Sequence, residues 1–170
     1  MDGSSVGSDV RKAGGIVGDS LSGSINFCWA SGNIINSNNT GAAFLGGISG
    51  DKSGGIINSC VALNSSISGT VSTTGRIVSR NNGGALSNNY AKSDMSVNGS
   101  TINIELTGPT YLNGANVDSG TGAGRYNNET FWSTPGYVNW SSVWGGPELS
   151  VEVPWKWSGL PLNLPVLWFE

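Results

Sequence analysis

Short apolar stretches, separated by glycine, serine and asparagine, run through the first part of the chain. Each stretch holds only a few residues, around Ile16, around Ile25 to Ala30 and near Ile34. Helices tolerate such interruptions poorly, because each interior glycine costs about 1 kcal/mol. The pattern therefore predicts short strands that are separated by tight turns.

The apolar positions recur with a period of about 30 residues. Ile48 follows Ile16 by 32 residues, and Ile77 follows Ile48 by 29. Two further sets keep the same spacing: Ile25, Ile57 and Leu86, and Ala30, Ala62 and Ala91. A unit of three or four short strands cannot close a core alone, whereas stacked units share one core with equivalent residues ~4.8 Å apart.

This register predicts an all-β fold, a parallel β-solenoid of about three coils formed by residues 1–100. The residues expected to stack as ladders are Ile16, Ile48 and Ile77, then Ile25, Ile57 and Leu86, and then Cys28 and Cys60. The inward positions between Ile25 and Ala30 do not alternate strictly. A bend near Asn26 or Phe27 is therefore expected.

The composition changes after residue 100. Six of the seven tryptophans lie between Trp132 and Trp168, where five prolines replace the glycine and asparagine of the repeats. The end of a stack exposes its core and its unpaired strand edges, and a bulky aromatic segment can seal it. We expect residues 101–170 to form an irregular, Trp/Pro-rich β cap.

The tryptophans allow two interpretations. Aromatic faces stack on the apolar faces of sugar rings, and the residues that would form such a platform are Trp132, Trp140, Trp144, Trp155 and Trp157. The alternative, which we favour, is that these rings are buried inside the cap.

The repeats resemble the GLUG-motif family of bacterial secreted and cell-surface proteins. Residues 14–18 match its Gly-Gly-Ile-Val-Gly turn fully, and residues 25–30 and 57–62 match the following Ile-x-Asn-Cys-Tyr-Ala-like strand loosely. The third unit has Asn89 where the cysteine would stand. The resemblance implies an adhesin-like protein of gut bacteria, extracellular or on the cell surface. Some members are attached to immunoglobulin A peptidases, and the family supplies no catalytic residues.

Cys28 and Cys60 occupy the same position in successive units. They form either a buried thiol ladder or a disulfide between adjacent coils. We favour the thiols, because stacked side chains seldom reach the dihedral angle of a disulfide. The two cysteines form no CxxC pair and the chain has no histidine, so we expect no metal site.

Asp19, Asp51 and Arg80 also share one position. Two stacked carboxylates can bind a cation or act as acid and base, as in polysaccharide-cleaving β-helices. The third unit supplies a cation, so we favour a solvated turn with mild charge compensation. Without histidine, Ser-His-Asp and Cys-His arrangements are excluded.

The net charge of −3 and the scattered positions of the eight lysines and arginines exclude an electrostatic nucleic-acid surface. The sequence contains no run of 18 apolar residues, so it predicts no membrane-spanning helix. The N-terminus does not resemble a signal peptide, so we expect a piece of a longer secreted chain.

These observations predict a non-catalytic structural or adhesive module of a bacterial surface or secreted protein, without a cofactor. Its partners would be a host or microbial surface glycan or protein and further domains of the parent chain. The alternative is a carbohydrate-binding module that uses the Trp-rich segment. A polysaccharide-cleaving enzyme is the more distant alternative.

Overall fold

Three successive units of four strands each form the first part of the molecule. The computed structural model describes residues 11–36, 43–69, 72–102, 108–145 and 154–167. Unit 1 comprises β1 (Arg11–Gly14), β2 (Val17–Ser20), β3 (Ser24–Asn26) and β4 (Trp29–Asn36). Unit 2 comprises β5 (Ala43–Gly46), β6 (Ser49–Lys52), β7 (Ile56–Asn58) and β8 (Val61–Gly69). Unit 3 comprises β9 (Ser72–Gly75), β10 (Val78–Asn81), β11 (Ala85–Ser87) and β12 (Tyr90–Lys92).

The remaining elements are few and short. They are β13 (Ser96–Val97), β14 (Ser100–Thr101), β15 (Ala115–Val117), α1 (Glu129–Ser133), β16 (Trp155–Trp157) and β17 (Pro165–Leu167). The all-β class predicted from the sequence is thus confirmed. Among the described residues, no helix has the length and apolar character needed to cross a membrane.

Equivalent strands of the three units pair in parallel, as the sequence predicts. The strand orders are β1-β5-β9, β2-β6-β10 and β3-β7-β11, and β8 lies between β4 and β12 in a fourth sheet. The pairing places Ile57 between Ile25 and Leu86, and Ala62 between Ala30 and Ala91. Each layer therefore presents the same residue positions as the layer next to it.

The core of the stack is aliphatic. Ile48, Ile57 and Ile77 are fully buried, and burial of an aliphatic side chain of this size contributes roughly 1.5–3 kcal/mol. Ile16 is 44% exposed, because no described strand pairs with the outer edge of unit 1. The backbone nitrogen of Ile16 still donates to the backbone oxygen of Ile48, and the backbone nitrogen of Ile48 donates to the backbone oxygen of Ile77.

A left-handed residue turns the chain just before the last strand of each unit. Phe27, Ser59 and Asn88 have φ values of 53°, 52° and 52° at equivalent positions. This turn is the bend that the irregular alternation between Ile25 and Ala30 predicts. Residues other than glycine and asparagine rarely adopt this conformation, so its repetition indicates that the stacked neighbours impose it.

The stacking continues past residue 100. The backbone oxygen of Leu112 accepts hydrogen bonds from Ile77 and Val78 (2.9 and 3.0 Å), as the oxygen of Ile77 does from unit 2. β15 pairs with β12 and places Ala115 beside Tyr90. Only two residues separate Leu112 from Ala115, so this fourth layer has no room for counterparts of β10 and β11. This partial layer lies beyond residue 100, where the sequence places the boundary between the repeats and the cap.

The buried guanidinium of Arg76 holds this partial layer in place. It donates to the backbone oxygens of Asn113, Lys92 and Gly114, at 3.0, 3.1 and 3.2 Å. Burial lowers the pKa of Arg76 to about 10. Three carbonyl acceptors offset part of the cost of taking this charge out of water.

The Trp-rich segment lies along the side of the stack, not across its end. Trp29 Nε1 of unit 1 donates to the backbone oxygen of Pro165 (3.1 Å). Trp140 Nε1 donates to the backbone oxygen of Ser59 in unit 2 (2.7 Å). Asn88 Nδ2 of unit 3 donates to the oxygen of Val138 (2.6 Å). The segment therefore contacts all three units. Residues 108–117, by contrast, cover part of the unit 3 end.

Outward-facing apolar residues explain this position. Val61 and Leu63 of β8 are buried together with Phe131, Trp132 and Trp140 in a second apolar cluster, which we call the lateral cluster. β8 is thus buried on both faces, one against the aliphatic core and one against the lateral cluster. Burial on both faces is typical of strands in parallel sheets.

Candidate functional site

A ladder of charged residues crosses β2, β6 and β10. Strand pairing places Asp51 between Asp19 and Arg80. Lys12 Nζ lies 2.6 Å from the carboxylate of Asp19 and 2.9 Å from that of Asp51, and Arg80 lies 2.5 Å from Asp51 on the other side. The Arg80 guanidinium also lies 3.9 Å from the ring centre of Phe44.

This geometry corrects the prediction of a solvated turn. The Asp51 side chain is fully buried, and both of its oxygens contact cations. Hydrogen bonds from Arg80, and next from Lys12, lower the pKa of Asp51 to about 2 against the opposing effect of burial. No group of three or more residues able to hold a metal ion occurs among the described residues. The ladder is internally neutralised, which disfavours both alternatives that the sequence left open, a cation site and an acid–base pair.

The two cysteines stack as free thiols at the turn before β4 and β8. Cys60 is buried, and its sulfur lies 3.5 Å from the oxygen of Ile25 in unit 1. A hydrogen bond between the thiols lowers the pKa of Cys28 and raises that of Cys60, and burial raises it further. In unit 3 the amide of Asn89 takes this position, accepting from Cys60 N and donating to the oxygen of Ile57.

Two of the five candidate tryptophans are unsuitable for ligand binding. Trp132 and Trp140 are fully buried, with their rings 4.7 Å apart in an edge-to-face arrangement. Their indole nitrogens donate to the backbone oxygens of Tyr126 and Ser59. With both faces packed, these rings stabilise the lateral cluster and offer no surface to a sugar.

The other three candidates, Trp144, Trp155 and Trp157, are half-buried. Trp155 packs against Trp140 with ring centres 5.0 Å apart. Trp144 and Trp157 lie 6.3 Å apart with their planes at 38°. Trp144 Nε1 donates to Glu129 Oε1 (3.0 Å), which ties this pair to the start of α1.

A cleft of about 470 Å³ opens beside Trp157. Its lining includes Thr121, Asn127, Glu129, Thr130, Trp157 and Asn163. Asn128 caps α1, since its side chain accepts from Thr130 N (2.9 Å) and thereby fixes Glu129 and Thr130 at the rim. The antiparallel pair β16–β17 carries Trp157, and the turn between these strands carries Asn163.

Sequence reasoning identified only Trp157 among these lining residues. Asparagine and threonine are too frequent in this chain for any one of them to mark a site. Glu129 follows Asn128 in a sequence that begins a short helix, which is equally typical of a structural cap.

No family model, curated protein or solved structure matches this chain. Its function has to be inferred from its own residues. Among the described clefts, the one beside Trp157 combines an aromatic ring with several uncharged polar side chains and one carboxylate. Such a surface suits non-covalent recognition of a polyhydroxylated ligand.

A second cleft, of about 450 Å³, lies where the partial fourth layer leaves unit 3 uncovered. Asn81, Leu86, Tyr111 and Leu112 contribute to its lining. Tyr111 and Leu112 are 52% and 37% exposed. Among the described residues, no charged side chain contributes to this lining, and its shape follows from the missing counterparts of β10 and β11.

Proposed function

We propose that the chain is a segment of a parallel β-solenoid and serves as a non-catalytic structural or adhesive module of a bacterial cell-surface or secreted protein. The observation that carries this proposal is the repeated register, in which one set of positions stacks through three units. A stack of this kind forms an extended wall whose stability sums over neighbouring layers. The GLUG resemblance points to the same role.

The Trp-rich segment, whose rings form much of the lateral cluster, supports a role as a stiff module. Hydrogen bonds that involve side chains join this segment to units 1, 2 and 3. Sliding or separation of two layers would break these contacts as well as the strand pairing. A wall supported in this way suits a spacer that holds further domains of a longer chain, or a surface that meets a host or microbial glycan or protein.

The charged ladder supports a non-catalytic assignment. A general acid in a glycan-cleaving site needs a carboxyl group whose pKa is raised. The pKa of Asp51 is instead lowered to about 2, and Lys12 and Arg80 occupy its oxygens. A polysaccharide-cleaving role would therefore require other carboxylates.

Antibody labelling of the bacterium that carries the gene tests the proposed location. We expect intact cells to be labelled as strongly as permeabilised cells. Labelling that appears only after permeabilisation would place the protein inside the cell and overturn the proposal. Beads coated with the chain test adhesion when they are compared with beads coated with its Ile57→Asp variant, which disrupts the core.

Carbohydrate binding is a second candidate function. The observation that favours it is the cleft beside Trp157, in which a half-buried indole adjoins amide and hydroxyl side chains. Carbohydrate binding is compatible with a scaffold role, because the cleft lies in the Trp-rich segment and the stack itself needs no ligand.

A further inference from the structure

We propose that the cleft beside Trp157 binds an uncharged pyranose unit of a glycan. This inference rests on the second candidate function, carbohydrate binding, and deepens it by naming the site and the class of sugar. The volume of the cleft, about 470 Å³, lies within the roughly 300–1,000 Å³ that is usual for small-molecule sites.

The Trp157 indole is held in position before any ligand arrives. β16 and β17 pair around it, with Trp157 opposite Pro165. The ring of Trp144 lies 6.3 Å away and is itself held by its hydrogen bond to Glu129. A ring supported in this way loses little freedom on binding, which lowers the entropic cost of stacking on the apolar C–H face of a sugar.

The polar lining supplies the hydrogen bonds that sugar hydroxyls require. Asn127 lines the cleft, and its Oδ1 accepts from Gly120 N (3.3 Å), which orients the side-chain amide. Glu129 Oε1 accepts from Trp144, while Oε2 has no hydrogen-bond partner among the described residues. Asn163 and Thr130 add a further amide and a hydroxyl. Donors and acceptors thus surround a single aromatic ring, an arrangement that fixes the orientation of a polyol.

The charge of the lining selects against acidic sugars. Glu129 is the one ionisable group among the described residues that line the cleft, and no lysine or arginine joins it. A uronate or sialate would bring its carboxylate near that of Glu129 with no cation to compensate, which disfavours binding. A neutral hexose or an N-acetylated amino sugar meets no such repulsion.

Titration of the full chain with oligosaccharides tests the proposal. Tryptophan fluorescence and calorimetry report binding of a panel of neutral glucans, xylans, mannans, galactans and chitin oligomers, with oligogalacturonate as the acidic comparison. We expect at least one neutral oligomer to bind, and Trp157→Ala to weaken this binding roughly tenfold or more. Asn163→Gly removes the amide while tolerating the φ of 47° at this position, and should weaken binding several-fold.

Leu162→Ala and circular dichroism separate loss of the site from unfolding, and Glu129→Gln tests the preference for neutral sugars. Leu162→Ala alters an exposed side chain beside Asn163 and should leave binding unchanged. Glu129→Gln retains an acceptor for Trp144 and removes the charge, so it should narrow the preference for neutral over acidic oligomers. Circular dichroism confirms that each variant keeps the fold.

The outcomes distinguish the site from the function. Neutral glycan binding that survives in both Trp157→Ala and Asn163→Gly would leave carbohydrate binding in place and overturn this cleft as its site. Binding of acidic glycans alone would overturn the proposed sugar class. No binding to any oligomer would remove carbohydrate binding altogether, while the scaffold proposal would stand on its own test.

Discussion

Arg80 and Asp51 form a two-point salt bridge between neighbouring units. Arg80 Nε lies 3.0 Å from Asp51 Oδ1, and the terminal nitrogen lies 2.5 Å from Oδ2. The Asp51 side chain is fully buried, whereas that of Arg80 is 40% exposed and stacks on Phe44. The layers are therefore joined by a salt bridge as well as by backbone pairing. The strand register places Arg80 opposite Asp51 and so allows this bridge to form.

Replacement of Asp51 by asparagine should destabilise the stack. The variant leaves Lys12 and Arg80 facing each other without the carboxylate between them. We expect a loss of about 2 kcal/mol, below the roughly 3–5 kcal/mol of fully buried pairs, because both cations stay partly exposed. Urea unfolding measures the change. Asp19→Asn is the matched control at the equivalent, exposed position, with an expected change within ~0.5 kcal/mol; equal losses for both would refute the assigned role of Asp51.

The same carboxylate predicts a loss of stability in acid. The pKa of Asp51 is lowered from 3.8 to about 2 in the folded chain. Its contribution is therefore complete above the ordinary pKa and is lost as the pH falls through about 2. Urea midpoints should fall steeply over this window in the parent chain and less steeply in Asp51→Asn. Identical pH profiles for the two proteins would show that Asp51 is not the group involved. Asp118, whose pKa is also lowered, acts in the same direction and is common to both proteins.

The strand pairing was predictable because a parallel in-register stack needs the same positions in every layer. The intervals of 32 and 29 residues between Ile16, Ile48 and Ile77 carry that information without any further contact. The short fourth layer was not predictable from this period, since Leu112 and Ala115 have only two residues between them. It is held by the guanidinium of Arg76, a contact between positions distant in the sequence.

The sequence carries a signal for the lateral position of the Trp-rich segment. Trp29, Val61 and Tyr90 occupy equivalent outward positions, next to inward alanines. Large apolar residues on the outer face indicate a strand that is covered on both sides. The cleft beside Trp157 had no such signal, because Glu129 and Asn163 are distant in the sequence and line the same cleft only in the folded chain.

The two thiols should differ strongly in reactivity. Cys28 is half-buried and has a lowered pKa because of the hydrogen bond from Cys60, which is itself buried with a raised pKa. We expect iodoacetamide to modify Cys28 roughly tenfold or more faster than Cys60 near neutral pH. Mass spectrometry of tryptic peptides follows both sites. Cys60→Ala removes the donor to the Cys28 thiolate and should slow the modification of Cys28. Equal rates at the two sites in the parent chain would contradict the assigned pair.

Asn88 should be the most sensitive of the three left-handed turn residues. Its φ is 52°, and its amide donates to Ser59 Oγ (3.1 Å) and to the oxygen of Val138 (2.6 Å). Asn88→Ala removes both hydrogen bonds and disfavours the backbone conformation, with an expected loss of roughly 2–3 kcal/mol in free energy of unfolding. Asn88→Gly restores the backbone freedom but not the hydrogen bonds, so it should recover about 1 kcal/mol. A glycine variant no more stable than the alanine variant would rule out a backbone contribution.

Replacement of Trp140 by phenylalanine tests the attachment of the lateral segment to the stack. The change keeps an aromatic ring in the cluster but removes the donor to the backbone oxygen of Ser59 (2.7 Å). A buried carbonyl left without its partner should cost roughly 1–3 kcal/mol, with some further loss from the smaller ring. Trp144→Phe removes a comparable donor, but its acceptor is the exposed side chain of Glu129, so the expected cost is below ~1 kcal/mol. Thermal unfolding of both variants measures the difference. If Trp144→Phe proves as costly as Trp140→Phe, the hydrogen bond to unit 2 does not contribute more than the peripheral one, and the lateral segment is held mainly by its own aromatic packing.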